Sequence, residues 1–238
     1  MGEAANAKIL NRVTLNSQPL LQSAQRALYF LLYSQHHMIK AIAFDYAGVL
    51  EIPERNITTE LSDYLNVSIE EWQAVYYKLN HLCNTGTNTW TEVAILTGEK
   101  LGATKEQQLQ MKEIMRLNVE TKKVNDGLVE IIKKLKSKYK IALISNYPAY
   151  LREKLQKQNL TELFDEIIIS GEVGYQKPQP EIFTLLCDRL HIAPSELIFI
   201  DDTTRSLEGA DKIGYTPILY VNNNQLEKDL LEILESRH

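Results

Sequence analysis

The stretch from Ile39 to Leu50, which reads I-K-A-I-A-F-D-Y-A-G-V-L, constrains the fold of this chain more than any other. Apolar and small residues lead up to one carboxylate, Asp45, and the turn-prone pair Ala47 and Gly48 follows it. This pattern is typical of a buried parallel strand that delivers an acid to the carboxyl edge of a sheet. Ligands of open α/β sheets bind at that edge. We therefore predict that later strands bring further polar groups to the same place.

Beyond Val124 the sequence alternates between helical and strand patterns. Strands are predicted at 140–145, 166–170, 197–201 and 217–221. Helices are predicted at 127–138, 150–158, 180–190, 206–213 and 225–235. Such alternation implies a parallel sheet with right-handed crossovers and helices on both faces. The predicted fold class is α/β, a doubly wound, Rossmann-like parallel sheet.

Residues 54–121 contain helical periodicity and no strand pattern, and residues 68–71 (S-I-E-E) have the form of a capping box. We predict a separate helical cap domain at 54–121, inserted after the first strand. The α/β core then consists of residues 38–53 and 122–238. Residues 1–37 form an N-terminal extension of uncertain role.

Composition excludes several classes of protein. The net charge is -5 over 238 residues, without a basic cluster interleaved with aromatics, so a nucleic-acid partner is not expected. The apolar run at 27–33 is too short to span a bilayer. The two cysteines, Cys83 and Cys187, lack metal-type spacing, and we expect reduced thiols in a cytoplasmic protein. The oligomeric state does not follow from the sequence.

Polar residues end the predicted strands or follow them closely: Asp45, Ser145-Asn146, Lys177 and Asp201-Asp202. Parallel strands place these groups at one edge of the sheet. Clustered carboxylates repel one another, and their hard oxygen atoms suit Mg²⁺, which often shares a phosphate oxygen. A lysine and a small hydroxyl neutralise and hydrogen-bond a transferring phosphoryl group. The residues themselves therefore favour Mg²⁺-assisted chemistry on a small phosphate ester.

Four motifs resemble those of the haloacid dehalogenase-like (HAD) hydrolases. They are F-D-Y-A-G-V-L around Asp45, L-I-S-N ending at Asn146, K-P-Q-P-E-I-F starting at Lys177, and F-I-D-D-T-T-R-S-L-E-G-A around Asp201 and Asp202. Their order and spacing fit the family over residues 38–222. The helical block after the first motif resembles that family's C1 cap. Four motifs in order on successive strands make a specific signal.

The resemblance implies a phosphoaspartyl mechanism with Asp45 as the nucleophile. Ser145 and Asn146 would bind phosphate oxygens, and Lys177 would offset the charge on Asp45 and on the phosphoryl group. The resemblance also assigns the groups around Mg²⁺: Asp45, the backbone carbonyl of Ala47 and Asp202, with Asp201 in support. Water would then hydrolyse the aspartyl phosphate.

The chain departs from the family pattern at Ala47. Most phosphatases of the family have a second Asp there, which protonates the leaving oxygen and later activates water. A positioned general acid contributes about 10²- to 10⁴-fold to the rate. A branch of the sugar-1-phosphate phosphatase type has small residues at this position and still hydrolyses esters. We therefore expect a slow phosphatase for a small phosphorylated metabolite, either a sugar phosphate or a nucleotide.

Two other functions stay open. Ala47 is also compatible with a catalytically weak or inactive member that binds a phosphate ester or a protein partner. A 2-haloacid dehalogenase also uses an Asp nucleophile without the second Asp. That branch usually has an aromatic residue at the position of Ala47 and lacks the paired acids of the fourth motif, so it ranks third. Structural roles are open too, with Asp201-Asp202 capping a helix and Ser145-Asn146 forming a turn.

Overall fold

A computed structural model describes residues 38–236, so the predicted extension at 1–37 lies outside the described residues. The elements in chain order are β1 (Ala41–Phe44), β2 (Glu51–Ile52), α1 (Ile57–Leu65), α2 (Ile69–Leu79), α3 (His81–Asn84), α4 (Trp90–Lys100), α5 (Lys105–Thr121), β3 (Lys123–Val124), α6 (Asp126–Leu135), β4 (Lys140–Ser145), α7 (Leu151–Lys157), β5 (Glu166–Ile169), α8 (Ser170–Val173), α9 (Pro180–Leu190), β6 (Leu197–Asp201), α10 (Ala210–Ile213), β7 (Thr216–Leu219) and α11 (Asn223–Glu235). Single 3₁₀ turns lie at Thr161–Leu163, Pro194–Glu196 and Thr204–Leu207.

Five parallel strands form the main sheet in the order β5-β4-β1-β6-β7. The central strand β1 is buried along its whole length and pairs with β4 on one side and β6 on the other. The chain winds outward from β1 in both directions, so the strand order reverses beside it. Such a switch point opens a crevice at the carboxyl ends of the strands. The predicted α/β, Rossmann-like fold is confirmed.

One face of the sheet is sealed by an aromatic group from α9, β6 and the residue before β7. The ring of Phe183 stacks on Tyr215 with centroids 4.6 Å apart and meets Phe199 edge-on at 5.3 Å. All three side chains are almost wholly buried. These contacts fix α9 against the sheet, and the loop before α9 carries Lys177.

The helical segment, residues 57–121, lies between the short antiparallel strands β2 and β3. Four of its helices, α1, α2, α4 and α5, begin at side chains that accept from free backbone N–H groups, including the predicted capping box of Ser68 and Glu71. A separate apolar cluster packs inside it around Leu61, Trp72 and Met111. The segment therefore has its own core and is joined to the sheet by two adjacent strands.

Two local predictions differ from the structure. The helix predicted at 206–213 is wrong as a single element, because Gly209 adopts a left-handed conformation (φ 76°) that separates a 3₁₀ turn from α10. The pairing of β2 with β3 was not predicted, since two residues are too few to show a period. None of the helices within residues 38–236 is long and apolar enough to cross a membrane.

Replacing Phe183 by Ala should lower the free energy of unfolding by about 3–5 kcal/mol, because it opens a cavity between Tyr215 and Phe199. Urea denaturation followed by circular dichroism measures this change. Leu109→Ala is the control, since that side chain is 66% exposed. Equal losses for the two variants would contradict the packing described above.

Candidate active site

Asp45 directly follows β1 at the centre of the sheet, and its backbone N–H donates to Ile200 O at 2.9 Å. Its side chain is held through one oxygen. Oδ1 accepts from the Tyr46 N–H at 2.7 Å, the Ser145 hydroxyl at 2.8 Å and the Lys177 ammonium at 2.9 Å. These contacts between described residues leave Oδ2 unengaged. A carboxylate fixed through one oxygen can present the other to an electrophile.

The Lys177 ammonium is buried between two carboxylates. It lies 2.9 Å from Asp45 Oδ1 and 2.6 Å from Asp201 Oδ2, and its side chain is 1% exposed. The two carboxylates raise the pKa of Lys177 against the opposing effect of burial, so the ammonium stays charged. Asp201 is fixed in turn at Oδ1 by the N–H and hydroxyl of Thr203, at 2.9 and 2.7 Å. Asp201 therefore orients Lys177.

Asn146 holds the backbone of the Lys177 loop. Its side-chain amide donates to Lys177 O at 2.9 Å, and its Oδ1 accepts from the Lys177 N–H at 2.7 Å. These two bonds connect the residue after β4 to the loop between α8 and α9, from which the Lys177 side chain reaches the acid that follows β1. The contact with phosphate that the sequence predicts for Asn146 would be an additional interaction of a side-chain amide that already makes two hydrogen bonds.

Asp202 completes a cluster of acids with Asp45 and Asp201, whose carboxylate oxygens lie within 4.8 Å of one another. A Cβ at Gly48 would lie 2.3 Å from Asp202 Oδ2, and Gly48 has a φ of 89°. Glycine is therefore needed where the turn after Asp45 passes the carboxylate. The turn and Asp202 are packed closely enough for oxygen atoms from both to serve one ion.

The negative charge of this cluster exceeds the positive charge beside it. Burial raises the pKa of Asp45, and Asp201 and Asp202 raise it further against the lowering effect of Lys177. Asp202 is solvent-exposed, unlike Asp45 and Asp201, and partial desolvation of its carboxylate, then Asp201, raises its pKa to about 6. One buried ammonium does not balance three carboxylates, so the site favours a proton or an additional cation.

A cavity of about 660 Å³ opens in front of Asp45, between the sheet edge and the helical segment. Asp45, Lys177 and Asp202 line it on one side, and Trp72, Tyr76 and Tyr77 line it on the other. Near the Lys177 loop, the Asn84 amide donates to Gln176 Oε1 at 3.0 Å, and Asn84 O accepts from the Ser170 hydroxyl. The volume of the cavity suits a small organic ligand.

A buried ionic network adjoins the cavity where the helical segment joins the sheet. Its centre is Glu51 of β2, which is 2% exposed and accepts from the Tyr46 hydroxyl at 2.9 Å. Lys154 is ion-paired with Glu51 Oε1, and Lys122 lies 3.7 Å from Oε2. Burial lowers the pKa of Lys122 against the raising effect of Glu51.

Sequence reasoning selected every residue of the central cluster, and the structure brings Asp45, Ser145, Lys177 and Asp201 into direct contact. Asn146 reaches this group through the Lys177 backbone, and Asp202 lies among the clustered acids. Sequence reasoning missed Thr203, Glu51 and Lys122. Thr203 directly follows Asp201 and Asp202, so its position beside two predicted site residues was a signal in the sequence. Glu51 and Lys122 are far apart in sequence, and no motif connects them.

Comparison with known proteins gives a consistent family match. The family model described as haloacid dehalogenase-like hydrolase matches residues 8–214. A phosphorylated carbohydrates phosphatase of Thermotoga maritima is 31% identical over 105 residues, which are 43% of this chain and 49% of that protein. The chain therefore spans about half the length of this relative.

Two further relatives differ in activity. A D-ribitol-5-phosphate phosphatase of Bacteroides thetaiotaomicron is 23% identical over 211 residues, covering 84% of this chain and all of that protein. An (S)-2-haloacid dehalogenase of a Pseudomonas species is 35% identical, but over only 68 residues, 29% of this chain and 30% of that protein.

Solved structures share the fold. A haloacid dehalogenase-like hydrolase from Xanthomonas campestris superposes with a TM-score of 0.63 at 18% identity, covering 85% of this chain and 94% of that one. A HAD-family enzyme from Bacteroides thetaiotaomicron, solved with magnesium and inorganic phosphate, gives 0.54 at 22% identity, covering 79% and 98%. At these identities the likeness establishes the fold alone.

The surplus of buried carboxylates predicts a pH dependence of stability in protein treated with a chelator. A carboxyl group whose pKa is raised on folding stabilises the folded state below its unfolded pKa, near 4, and loses that contribution as pH rises through the folded value. Asp45→Asn should therefore reduce the fall in the free energy of unfolding between about pH 4 and pH 7. Urea titrations at several pH values measure it. The exposed Asp63→Asn is the control, and parallel pH curves for Asp45→Asn and wild type would contradict the prediction.

Proposed function

The chain belongs to the haloacid dehalogenase-like hydrolase family, and on that premise we propose that it hydrolyses a small phosphate monoester through an aspartyl phosphate on Asp45. The observation that carries the proposal is the hydrogen bonding of Asp45. Three donors bind Oδ1, and none of these three donors binds Oδ2. That oxygen belongs to a residue that lines a ligand-sized cavity. Both phosphatase relatives described above act on phosphorylated carbohydrates or alditols, in keeping with this chemistry.

The residues fit Mg²⁺ as the cofactor. The clustered oxygens of Asp45, Asp201 and Asp202 are hard ligands with a surplus of negative charge. Asp45, Asp202 and the backbone carbonyl of Ala47 would hold the ion. Asp201 supports the site indirectly, because it holds the Lys177 ammonium beside Asp45. A bound Mg²⁺ would withdraw charge from the phosphoryl oxygens and bring phosphate and carboxylate together.

The chain's own groups account for the transfer step. Asp45 Oδ2 forms a bond to phosphorus as the bond from phosphorus to the ester oxygen breaks, and the electron pair leaves with that oxygen. Lys177 stabilises the charge that spreads over the phosphoryl oxygens, as a preorganised cation does in a site shielded from water. Ser145 keeps Oδ1 in place, which points Oδ2 at the phosphorus. Water then attacks phosphorus as the bond from phosphorus to Asp45 Oδ2 breaks, which releases inorganic phosphate, frees the carboxylate and gives a proton of the water to solvent.

Ala47 supplies no proton to the leaving oxygen, so in this proposal that oxygen takes its proton from solvent. The penalty is greatest for an alkoxide, whose conjugate acid is weak, and smallest for a phenolate. We therefore propose slow turnover with a preference for good leaving groups. The helical segment acts as a cap in this proposal, since it supplies the wall of the cavity opposite Asp45.

The first test is phosphate release from an aryl phosphate and from a panel of sugar and nucleotide monophosphates, with and without Mg²⁺. We expect release that requires Mg²⁺ and falls to the uncatalysed rate in Asp45→Asn, because that variant lacks the nucleophile. Asp63→Asn is the control for a general effect of removing a carboxylate.

The same assay separates the alternatives. A folded protein that binds phosphate esters with Mg²⁺ but releases no phosphate would support the inactive member that Ala47 also favours. Halide release from a 2-haloacid without metal would support dehalogenase activity, which is the activity of the Pseudomonas relative that matches over 68 residues.

Restoring the acid should change leaving-group dependence. Ala47→Asp is expected to raise kcat/KM for an alkyl phosphate by roughly 10²- to 10⁴-fold and for an aryl phosphate much less. Ala47→Asn, of nearly the same size, controls for the added volume. Equal acceleration of both esters by Ala47→Asp would count against the missing-acid explanation.

A further inference from the structure

We propose that Lys122 is a specificity-determining residue which donates a hydrogen bond to a hydroxyl oxygen on the organic part of the ester, while Glu51 holds its ammonium in place. The inference rests on the proposed function, because it concerns the non-phosphate end of the same substrate. It favours a neutral, hydroxylated ester, such as a polyol or sugar phosphate, over a plain alkyl phosphate.

Lys122 is a partly buried cation at the cavity wall. Its side chain is 11% exposed, it lines the cavity, and its ammonium lies 5.4 Å from the centre of the Trp90 ring. The nearest carboxylate oxygen, Glu51 Oε2, is 3.7 Å away. That distance is longer than the donor–acceptor distance of a charge-assisted hydrogen bond. Within residues 38–236, the Lys122 ammonium therefore has N–H groups to offer to a ligand.

Glu51 fixes the position of this ammonium and is itself fixed. Tyr46 and Lys154 both bind Glu51 Oε1. Glu51 Oε2 is enclosed and has no hydrogen-bond partner among the described residues, so the attraction to Lys122 is its remaining interaction. Lys154 already forms an ion pair with the same carboxylate, so two ammonium groups lie beside the single negative charge of Glu51. Lys122 is the member of this lysine pair that lines the cavity.

The charge around the cavity indicates a neutral organic group. With histidine taken as neutral, carboxylates and cationic side chains line the cavity in equal number. A bound Mg²⁺ and a phosphate dianion together add no net charge to this balanced lining, so no further charge on the ligand is called for. A hydroxyl oxygen accepts from an ammonium without adding charge, which a carboxylate would do.

The remaining wall suits the carbon skeleton of such a ligand. Tyr77 and Tyr150 line the cavity with 38% and 46% of their surface exposed. Aromatic rings bury apolar C–H surface well. A polyol or sugar therefore meets both of its needs here, apolar contact along the carbon chain and a donor at a hydroxyl.

The test compares a polyol phosphate with an alkyl phosphate of the same carbon number, for example pentitol 5-phosphate against pentyl phosphate. Lys122→Met keeps the apolar stem and removes the donor. It should lower kcat/KM for the polyol ester by about 10- to 100-fold, the range for a hydrogen bond to a charged group. The pentyl and aryl esters, which offer no hydroxyl to Lys122, should lose much less than the polyol ester. Lys112→Met, at an exposed position on α5, is the matched control.

Calorimetric binding separates this proposal from the proposed function. The same esters are titrated with Mg²⁺ into Asp45→Asn and into Asp45→Asn/Lys122→Met. A preference for the polyol ester that disappears with Lys122→Met supports the Lys122 contact even when wild type releases no phosphate. The contact is overturned if the first protein shows no preference, or if Lys122→Met weakens both esters equally, as a merely structural lysine would. In that case, hydrolysis of the aryl ester by wild type would leave the proposed function standing.

Discussion

The Lys177 ammonium, buried between Asp45 and Asp201, is the interaction on which the rest of the site depends. A buried charge is tolerated when it is paired and hydrogen-bonded, and Lys177 meets two carboxylates at 2.9 and 2.6 Å. This contact connects the loop after β5 to the ends of β1 and β6. It also fixes Asp45 through Oδ1, and the other oxygen stays available. The order that the ammonium gives to the site is therefore a condition for the proposed chemistry.

The acids exceed what Lys177 can neutralise, and this imbalance has a functional meaning. Three carboxylates, each with an oxygen within 4.8 Å of the others, carry more charge than one ammonium offsets. Burial, and then these neighbouring carboxylates, raise the pKa of Asp45 and of Asp202. Such a site favours a proton or a cation. The same excess of charge supplies oxygen ligands for a divalent ion.

The second half of the cavity belongs to the helical segment, and its chemistry differs from that of the sheet edge. The sheet contributes charged groups in fixed pairs, whereas α2 contributes aromatic rings and the junction with β3 contributes Lys122. Glu51 lies where these parts meet, bonded to the residue after Asp45 and to a lysine of α7. In the proposed function, recognition of the organic group and activation of phosphate are therefore carried by separate residues.

The sequence by itself predicted the five strands of the main sheet, the long helices and the candidate polar residues, because each has a local signature: an apolar run that ends in a polar residue, or a 3.6-residue period. It could not determine which side chains touch. The hydrogen bonds of Asn146 to the Lys177 backbone join residues that are 31 positions apart. Glu51 and Lys122 come together only because β2 pairs with β3. Gly209 divides a predicted helix by a backbone angle that composition does not encode. Contacts of this kind arise from packing, which leaves no period or motif in the chain.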